Sequence, residues 1–287
     1  MAINFEAVSF TYQAGTPFAT SALHDVNLHI PENTFTAVIG HTGSGKSTMV
    51  QMLDGLTQPT TGQVTVGNQV ITAETKKKAL NEMREHIGMV FQFPEAQLFE
   101  QTVLQDVMFG PMNYGMTEDE ARIAAKEALR TVGMAERFDD RTPFDLSGGQ
   151  MRRVAIAGIL AMKPDLLILD EPTAGLDPAG QIELMASFGR LQKERNLTIV
   201  LITHQMEFVA EYASHVIVFE GGTVLKEGPT AEIFADSAWL KAHQLDVPAA
   251  QQFADALAEK DIQLNQVLDM DALADELVKQ LQGGTHG

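Results

Sequence analysis

Cysteine is absent. That excludes disulfides and thiolate metal sites within the chain and fits a reducing cytosol. Basic residues are scarce: 20 Lys and Arg stand against 38 Asp and Glu, a formal charge of −18 at pH 7. Such a surface does not favour nucleic acid or anionic lipid as the main partner. No apolar run approaches the ~20 residues that a helix needs to cross a bilayer. Leu166-Leu167-Ile168-Leu169 has the length of a buried strand. A membrane role is therefore expected to come through a partner. The opening Met1-Ala2-Ile3-Asn4-Phe5-Glu6 lacks the basic and apolar regions of a signal peptide. No internal repeat and no low-complexity tract is present. At 287 residues the chain suits one large α/β domain with a small appendage.

Apolar residues at near period-2 spacing (Ile3, Phe5, Val8, Phe10; then Val26, Leu28, Ile30) predict N-terminal strands. Thr36-Ala37-Val38-Ile39 reads as a buried strand, and a helix is expected from Lys46 to about Leu56. Strands are expected between Gly62 and Ile71 around a Gly67-Asn68 turn, followed by an exposed helix from Lys76 to Glu85 and a strand over Ile87–Phe91. From Thr102 to about Phe138 the chain reads as largely helical, with Thr117 ahead of an acidic helix start. This is the pattern of an inserted helical subdomain at about 95–160. Strands at 166–169, 198–202 and 216–219 alternate with helices near 178–194 and 205–212, which predicts a parallel sheet flanked by helices. Residues 236–287 hold nine acids and three Lys with helical apolar spacing at Phe253, Leu257, Leu273, Leu277, Val278 and Leu281. They read as a small helical extension after a main domain at 1–235, with Gly283–Gly287 as a flexible end.

Gly40-His41-Thr42-Gly43-Ser44-Gly45-Lys46-Ser47-Thr48 fits G-x-x-x-x-G-K-[ST]. Glycines let backbone N–H groups wrap phosphate oxygens, and the following helix presents its positive end. Lys46 is expected to reach the β- and γ-phosphates, Ser47 to hold Mg²⁺, and Thr48 to add a phosphate hydrogen bond. Leu166–Leu169 ends in Asp170-Glu171. Asp170 is expected to serve Mg²⁺ through water, and Glu171 to polarise the attacking water as a carboxylate held in a dry site. By itself such a pair also reads as a solvated strand end, but the phosphate loop upstream weighs against that.

With Leu146-Ser147-Gly148-Gly149-Gln150 added, residues 1 to about 235 resemble an ATP-binding-cassette ATPase. The resemblance implies a P-loop cassette fold and hydrolysis of ATP with Mg²⁺ when two cassettes sandwich the nucleotide. Ser147, Gly148, Gly149 and Gln150 would bind the γ-phosphate held by the other subunit; Ser147 also reads as a helix N-cap, and the two roles are compatible. Gln92 matches the glutamine loop, which senses the γ-phosphate and serves the metal beside Ser47 and Asp170. Ala174-Gly175-Leu176-Asp177 matches the loop that crosses to the opposite site, and His204 matches the switch histidine. Tyr12 matches the adenine-stacking aromatic, with Phe10 as the alternative.

Phe91–Phe99, Gly110–Gly115 and Gln150–Gly158, together with the acidic extension, resemble energy-coupling-factor transporters for micronutrients. Gly40–Gly43 and Phe10–Pro17 resemble the second of their two ATPase subunits. That family implies a second, different cassette ATPase, a transmembrane coupling protein, exchangeable substrate-binding membrane proteins, and a peripheral place on the cytoplasmic face of the membrane. Glu95 and Glu100 would pair with arginines of the coupling protein or stay solvated. The extension would be an ATPase–ATPase interface or a cap on its own domain. Two other readings share the catalytic residues. One is the homodimeric ATPase of another importer; the other is a soluble non-transport cassette, disfavoured by the acidic balance and by the single cassette. The transported vitamin or metal ion is not legible.

Overall fold

The computed structural model describes residues 1–260, 262–264 and 267–283. In chain order it runs β1 (Ile3–Tyr12), β2 (Thr20–Ile30), β3 (Phe35–Gly40), α1 (Lys46–Leu53), β4 (Thr61–Val66), β5 (Gln69–Ile71), α2 (Lys77–Arg84) and β6 (Ile87–Val90). Then come α3 (Val103–Asn113), α4 (Glu118–Thr131), α5 (Gly148–Ala161), β7 (Leu166–Asp170), α6 (Pro178–Arg195), β8 (Thr198–Ile202), α7 (Met206–Tyr212), β9 (His215–Glu220) and β10 (Thr223–Pro229). The chain closes with α8 (Thr230–Ala235), α9 (Ser237–Ala242), α10 (Ala249–Ala258) and α11 (Met270–Gly283). The expected flexible end falls on 284–287, outside the described residues, as does the side chain of Leu281.

Two sheets organise these elements. An antiparallel one has the order β2-β1-β4-β5, and a six-stranded one the order β10-β9-β3-β8-β7-β6. In the second, β6 to β9 and β3 run parallel, and β10 pairs antiparallel with β9. The central strands β3, β7 and β8 are apolar on both faces because both faces are covered. Their alternate residues divide between two cores. Val38, Ile168, Val200 and Ile202 pack with α1 and the antiparallel sheet. Ala37, Ile39, Leu167, Leu169, Ile199 and Leu201 pack with α3 to α7. Helices α3, α4 and α5 pack against one another as the helical layer the pattern predicts.

The structure differs from the sequence expectation at several elements; α8, for one, is not expected from the sequence, and Leu240, Leu245 and Val247 of the extension pack into the main core. The first helix stops at Leu53 rather than Leu56, because Asp54 accepts from the Leu56 N–H and Gly55 turns the chain with φ 68°. Strand β10, not expected from the sequence, folds back on β9 across Gly221-Gly222, whose φ values of 55° and 80° suit a tight hairpin. In the extension, Ala250, Ala254, Val267 and Leu273 form a separate small apolar cluster.

Candidate active site

Topology places the phosphate loop between β3 and α1, at the carboxyl ends of the parallel strands. Parallel sheets put their ligand crevices at that edge. Gly40 leaves β3 with φ 148°, and a Cβ there would meet the Phe219 carbonyl at 2.2 Å. Gly45 caps α1 with φ 105°. The first N–H groups of α1 have no intrahelical acceptor, so the loop ends in donors aimed at an anion. Lys46 is buried, and its amine donates to the backbone oxygens of Gly40 (2.6 Å) and His41 (2.7 Å). Burial lowers its pKa, against the pull of Glu171 and Asp170.

Pairing of β3 with β8 and of β8 with β7 brings the ends of these strands together. A cleft of about 420 Å³ results, lined by Tyr12, Thr42, Gly43, Gly45, Lys46, Ser47, Thr48, Gln92, Asp170, Glu171 and His204. Tyr12 reaches it from β1, its hydroxyl 2.9 Å from that of Thr48. Phe10 packs edge-on against Tyr12 at 4.7 Å but lies half-buried against the core and does not line the cleft. Gly40, His41 and Ser44 are not at the cleft wall. Ser44 is buried under Lys46 at 3.4 Å, and His41 Nε2 donates to the His243 backbone oxygen at 2.7 Å.

Glu171 sits in the left-handed region with φ 49°, held by N–H donation to the Ile202 oxygen (3.0 Å) and acceptance from Ala174 N–H (3.2 Å). A non-glycine residue held there is a strained position of the kind found at functional sites. Its Oε1 is buried without a hydrogen-bond partner, 3.7 Å from His204 Nε2, and Oε2 lies 3.5 Å from the Thr203 hydroxyl. Burial, and then Asp170, push the Glu171 pKa up. Burial likewise raises Asp170 and lowers His204, so the site favours neutral imidazole. Ser47, Gln92 and Asp170 bring a hydroxyl, an amide and a carboxylate oxygen to one cleft, a hard-oxygen set that suits Mg²⁺. Among the described residues no group of three or more His, Cys, Asp or Glu is placed to hold a metal alone. A cation here would share its shell with phosphates and water.

Ser147, Gly148, Gly149, Gln150 and Asp177 do not line this cleft. Ser147 caps α5 in a reciprocal box with Gln150 (Gln150 N–H to Ser147 Oγ 3.3 Å; Ser147 N–H to Gln150 Oε1 3.0 Å). Ser147 and Gly148 are exposed. Asp177 caps α6 by accepting from Gly180 N–H at 2.7 Å. The two segments are neighbours: a Cβ on Gly149 would lie 3.2 Å from Leu176. Sequence reasoning missed Thr20, Ser21 and Ala22, which complete the wall from β2. The cross-strand partnership of Tyr12 with Thr20 carries them there, and no local sequence signal marks it.

The ABC transporter family profile matches residues 23–174. The Energy-coupling factor transporter ATP-binding protein EcfA2 of Enterococcus faecalis is 54% identical over 283 residues, covering 98% of both chains. The protein of that name from Lactiplantibacillus plantarum is 55% identical over 288 residues, covering 100% of this chain and 98% of its own. Among solved structures, cbiO1 from Clostridium perfringens, described as part of the ABC transporter complex cbiONQ, superposes with TM-score 0.74 at 38% identity over 88% of this chain and 98% of its own. The cassette MJ0796, in a dimeric post-hydrolysis state bound to ADP and Pi, gives 0.72 at 33% identity over 79% of this chain and 98% of its own. A phosphate loop, a half-buried acidic pair and a strand-end histidine in one cleft, with relatives matched end to end, place this chain in the ABC transporter family as an ATP-hydrolysing cassette of the energy-coupling-factor type.

Proposed function

We propose that this chain is one of two different ATPases that drive micronutrient uptake by an energy-coupling-factor transporter. The observation that carries the two-cassette part is a separation. The cleft holds Lys46, Asp170, Glu171 and His204, whereas the capped N-terminus of α5 at Ser147–Gln150 lies elsewhere on the chain, with Ser147 and Gly148 exposed. A second cassette brings such a helix end over the nucleotide, and this chain's Ser147–Gln150 serves the partner's site. Asp177 lies beside that segment and faces the same junction.

On ATP binding, Lys46 leaves the Gly40 and His41 oxygens for the β- and γ-phosphates, exchanging neutral acceptors for charged ones. The loop N–H groups hold the phosphates, Tyr12 stacks on adenine, and Ser47, Gln92 and Asp170 face the cation. Mg²⁺, when bound, neutralises charge on the phosphate oxygens. Glu171 takes the proton of the attacking water. Its raised pKa makes it a stronger base than a free carboxylate. Neutral His204 contacts the γ-phosphate, and Gln92 registers its presence.

The membrane partner is proposed to dock at a groove lined by Asp54, Arg84, Phe99, Asp106, Phe109 and Tyr114. Exposed Phe93 and Met112 add apolar surface to the same segments. Glu95 is engaged inside the chain by Arg152 at 3.4 Å, which leaves Glu100 as the acid offered to a partner arginine. The extension exposes Phe253, Ile262, Met270 and Val278 and is proposed to face the other ATPase. Through such contacts the chain sits peripherally at the membrane.

Affinity purification from gently solubilised membranes, with mass-spectrometric identification, tests this reading. A second, non-identical cassette with a coupling membrane protein and several small membrane proteins is expected. A homodimer with one dedicated permease would overturn it. Truncation after Val247 is expected to abolish the ATPase–ATPase pair, and an intact pair would remove the interface assignment.

A further inference from the structure

Arg152 belongs to α5, one turn beyond the Ser147 cap, and its side chain is 3% exposed. A buried guanidinium in this position is costly unless its hydrogen-bonding groups are used. Its Nη2 donates to the backbone oxygen of Gln92. Its Nε lies 3.4 Å from Glu95 Oε2, three residues further along the same loop. Its Nη1 comes within 3.8 Å of where a Cβ on Gly175 would stand. One side chain thus touches the loop that carries Gln92 into the cleft and lies beside Gly175 in the loop before Asp177, from the helix that presents Ser147–Gln150. Arginine suits this place because its planar fork reaches several acceptors at once, which a lysine ammonium on a flexible stem does not. The adjacent Arg153 points elsewhere, to the Val132 oxygen and Glu183.

The contact with Glu95 is close but not aligned: neither Arg152 Nε nor Glu95 Oε2 has a hydrogen-bond partner, although both are buried. Opposed buried charges in contact without a directed bond gain from a small movement that aligns them.

We propose that Arg152 is a positioning residue for Gln92, pinning the glutamine loop to the first turns of the helix that carries Ser147–Gln150. A shift of that helix then moves the Gln92 amide, so the helix end offered to the partner's nucleotide and the amide facing this chain's own nucleotide move together. Glu95 is the second anchor of the same pin. This inference rests on the reading of Gln92 as an active-site side chain.

The test uses the full chain in its co-purified membrane complex, with kcat and KM for ATP and the melting temperature measured for each variant. Arg152→Met strands Glu95 and is expected to lose both stability and kcat. Arg152→Met with Glu95→Gln removes both charges, so its melting temperature is expected to return toward wild type. Its kcat is expected to stay down about tenfold to a hundredfold, the scale of a misplaced active-site group, with KM for ATP within about threefold because the phosphate loop is untouched. Arg152→Lys is expected to regain part of kcat, since one donor still reaches the Gln92 oxygen. A double variant with wild-type kcat overturns the proposal, and so does a kcat loss that follows the melting temperature across all variants. Gln92→Ala, run in parallel, separates the two readings. If it keeps full kcat, the assignment of Gln92 falls. If it loses kcat while the double variant does not, only the role of Arg152 falls.

Discussion

Replacing Glu171 with Gln separates catalysis from folding, because the structure predicts opposite signs for the two. Glu171 is half-buried with its backbone strained at φ 49°, its Oε1 is buried and unpaired, and its pKa is raised first by burial and then by Asp170. A raised folded-state pKa means that the folded chain holds this proton more tightly than the unfolded chain. The stability it contributes is present below the unfolded value of 4.5 and is lost as pH rises through the folded value. At neutral pH the ionised Glu171 therefore costs stability, and the isosteric neutral amide removes that cost. In the nucleotide-free chain, Glu171→Gln is expected to raise the melting temperature at pH 7 and to change it less near pH 4.5. Each kcal/mol gained appears as about 2 °C at this length. On the proposed mechanism the same change removes the group that accepts the water's proton, a function worth about 10²–10⁴ in rate, or about 3–5 kcal/mol of barrier. Steady-state hydrolysis in the assembled complex reads kcat, and nucleotide titration confirms retained ATP binding. A variant within about threefold of wild-type kcat, or one that melts lower at pH 7, refutes the reasoning.

Three further outcomes follow from the same geometry. Ser147→Ala removes an N-cap and is expected to cost about 1 kcal/mol in denaturant unfolding; it should leave ATP binding by the isolated chain unchanged while lowering hydrolysis in the assembled complex about tenfold or more. The His204 pKa is depressed below 6.5 by burial, so its stabilising contribution is present above that value and lost as pH falls through the folded one. Wild type should therefore lose melting temperature relative to His204→Gln between about pH 7 and about pH 5, and a constant difference would contradict the shift. His41→Ala deletes the 2.7 Å bond to the His243 oxygen and is expected to cost about 0.5–1.5 kcal/mol by denaturant unfolding. His41→Gln keeps a donor there and should recover part of that loss; equal losses would show that the ring's packing, not the bond, is what counts.

Much of the site is legible in the chain because its requirements are local. Gly40 and Gly45 are needed where a Cβ would strike backbone, and Lys46 must open the helix that follows. Four apolar residues ahead of Asp170-Glu171 announce a strand buried on both faces. What stayed hidden depends on partners far along the chain. Strand β10 alternates only weakly and is a strand because Gly221-Gly222 turns it onto β9. Thr20 and Ser21 look like any edge residues until β2 is paired with β1. Arg152 and Arg153 are adjacent and chemically identical, and only the rotation of α5 against the Gln92 loop decides which is buried.

By itself the sequence determined most of the order of strands and helices and the ATPase family, because short-range spacing and backbone geometry encode these. Only the tertiary structure decided where they meet. Pairing β3 with β8 brings Lys46 to Asp170 and Glu171 across more than a hundred residues of chain. Packing of α5 in the helical layer leaves Ser147 and Gly148 exposed, and keeps Ser147–Gln150 away from that cleft. That separation arises because the parallel sheet closes around phosphates at its own carboxyl edge; on the proposed two-cassette reading, the remaining donors come from a second surface.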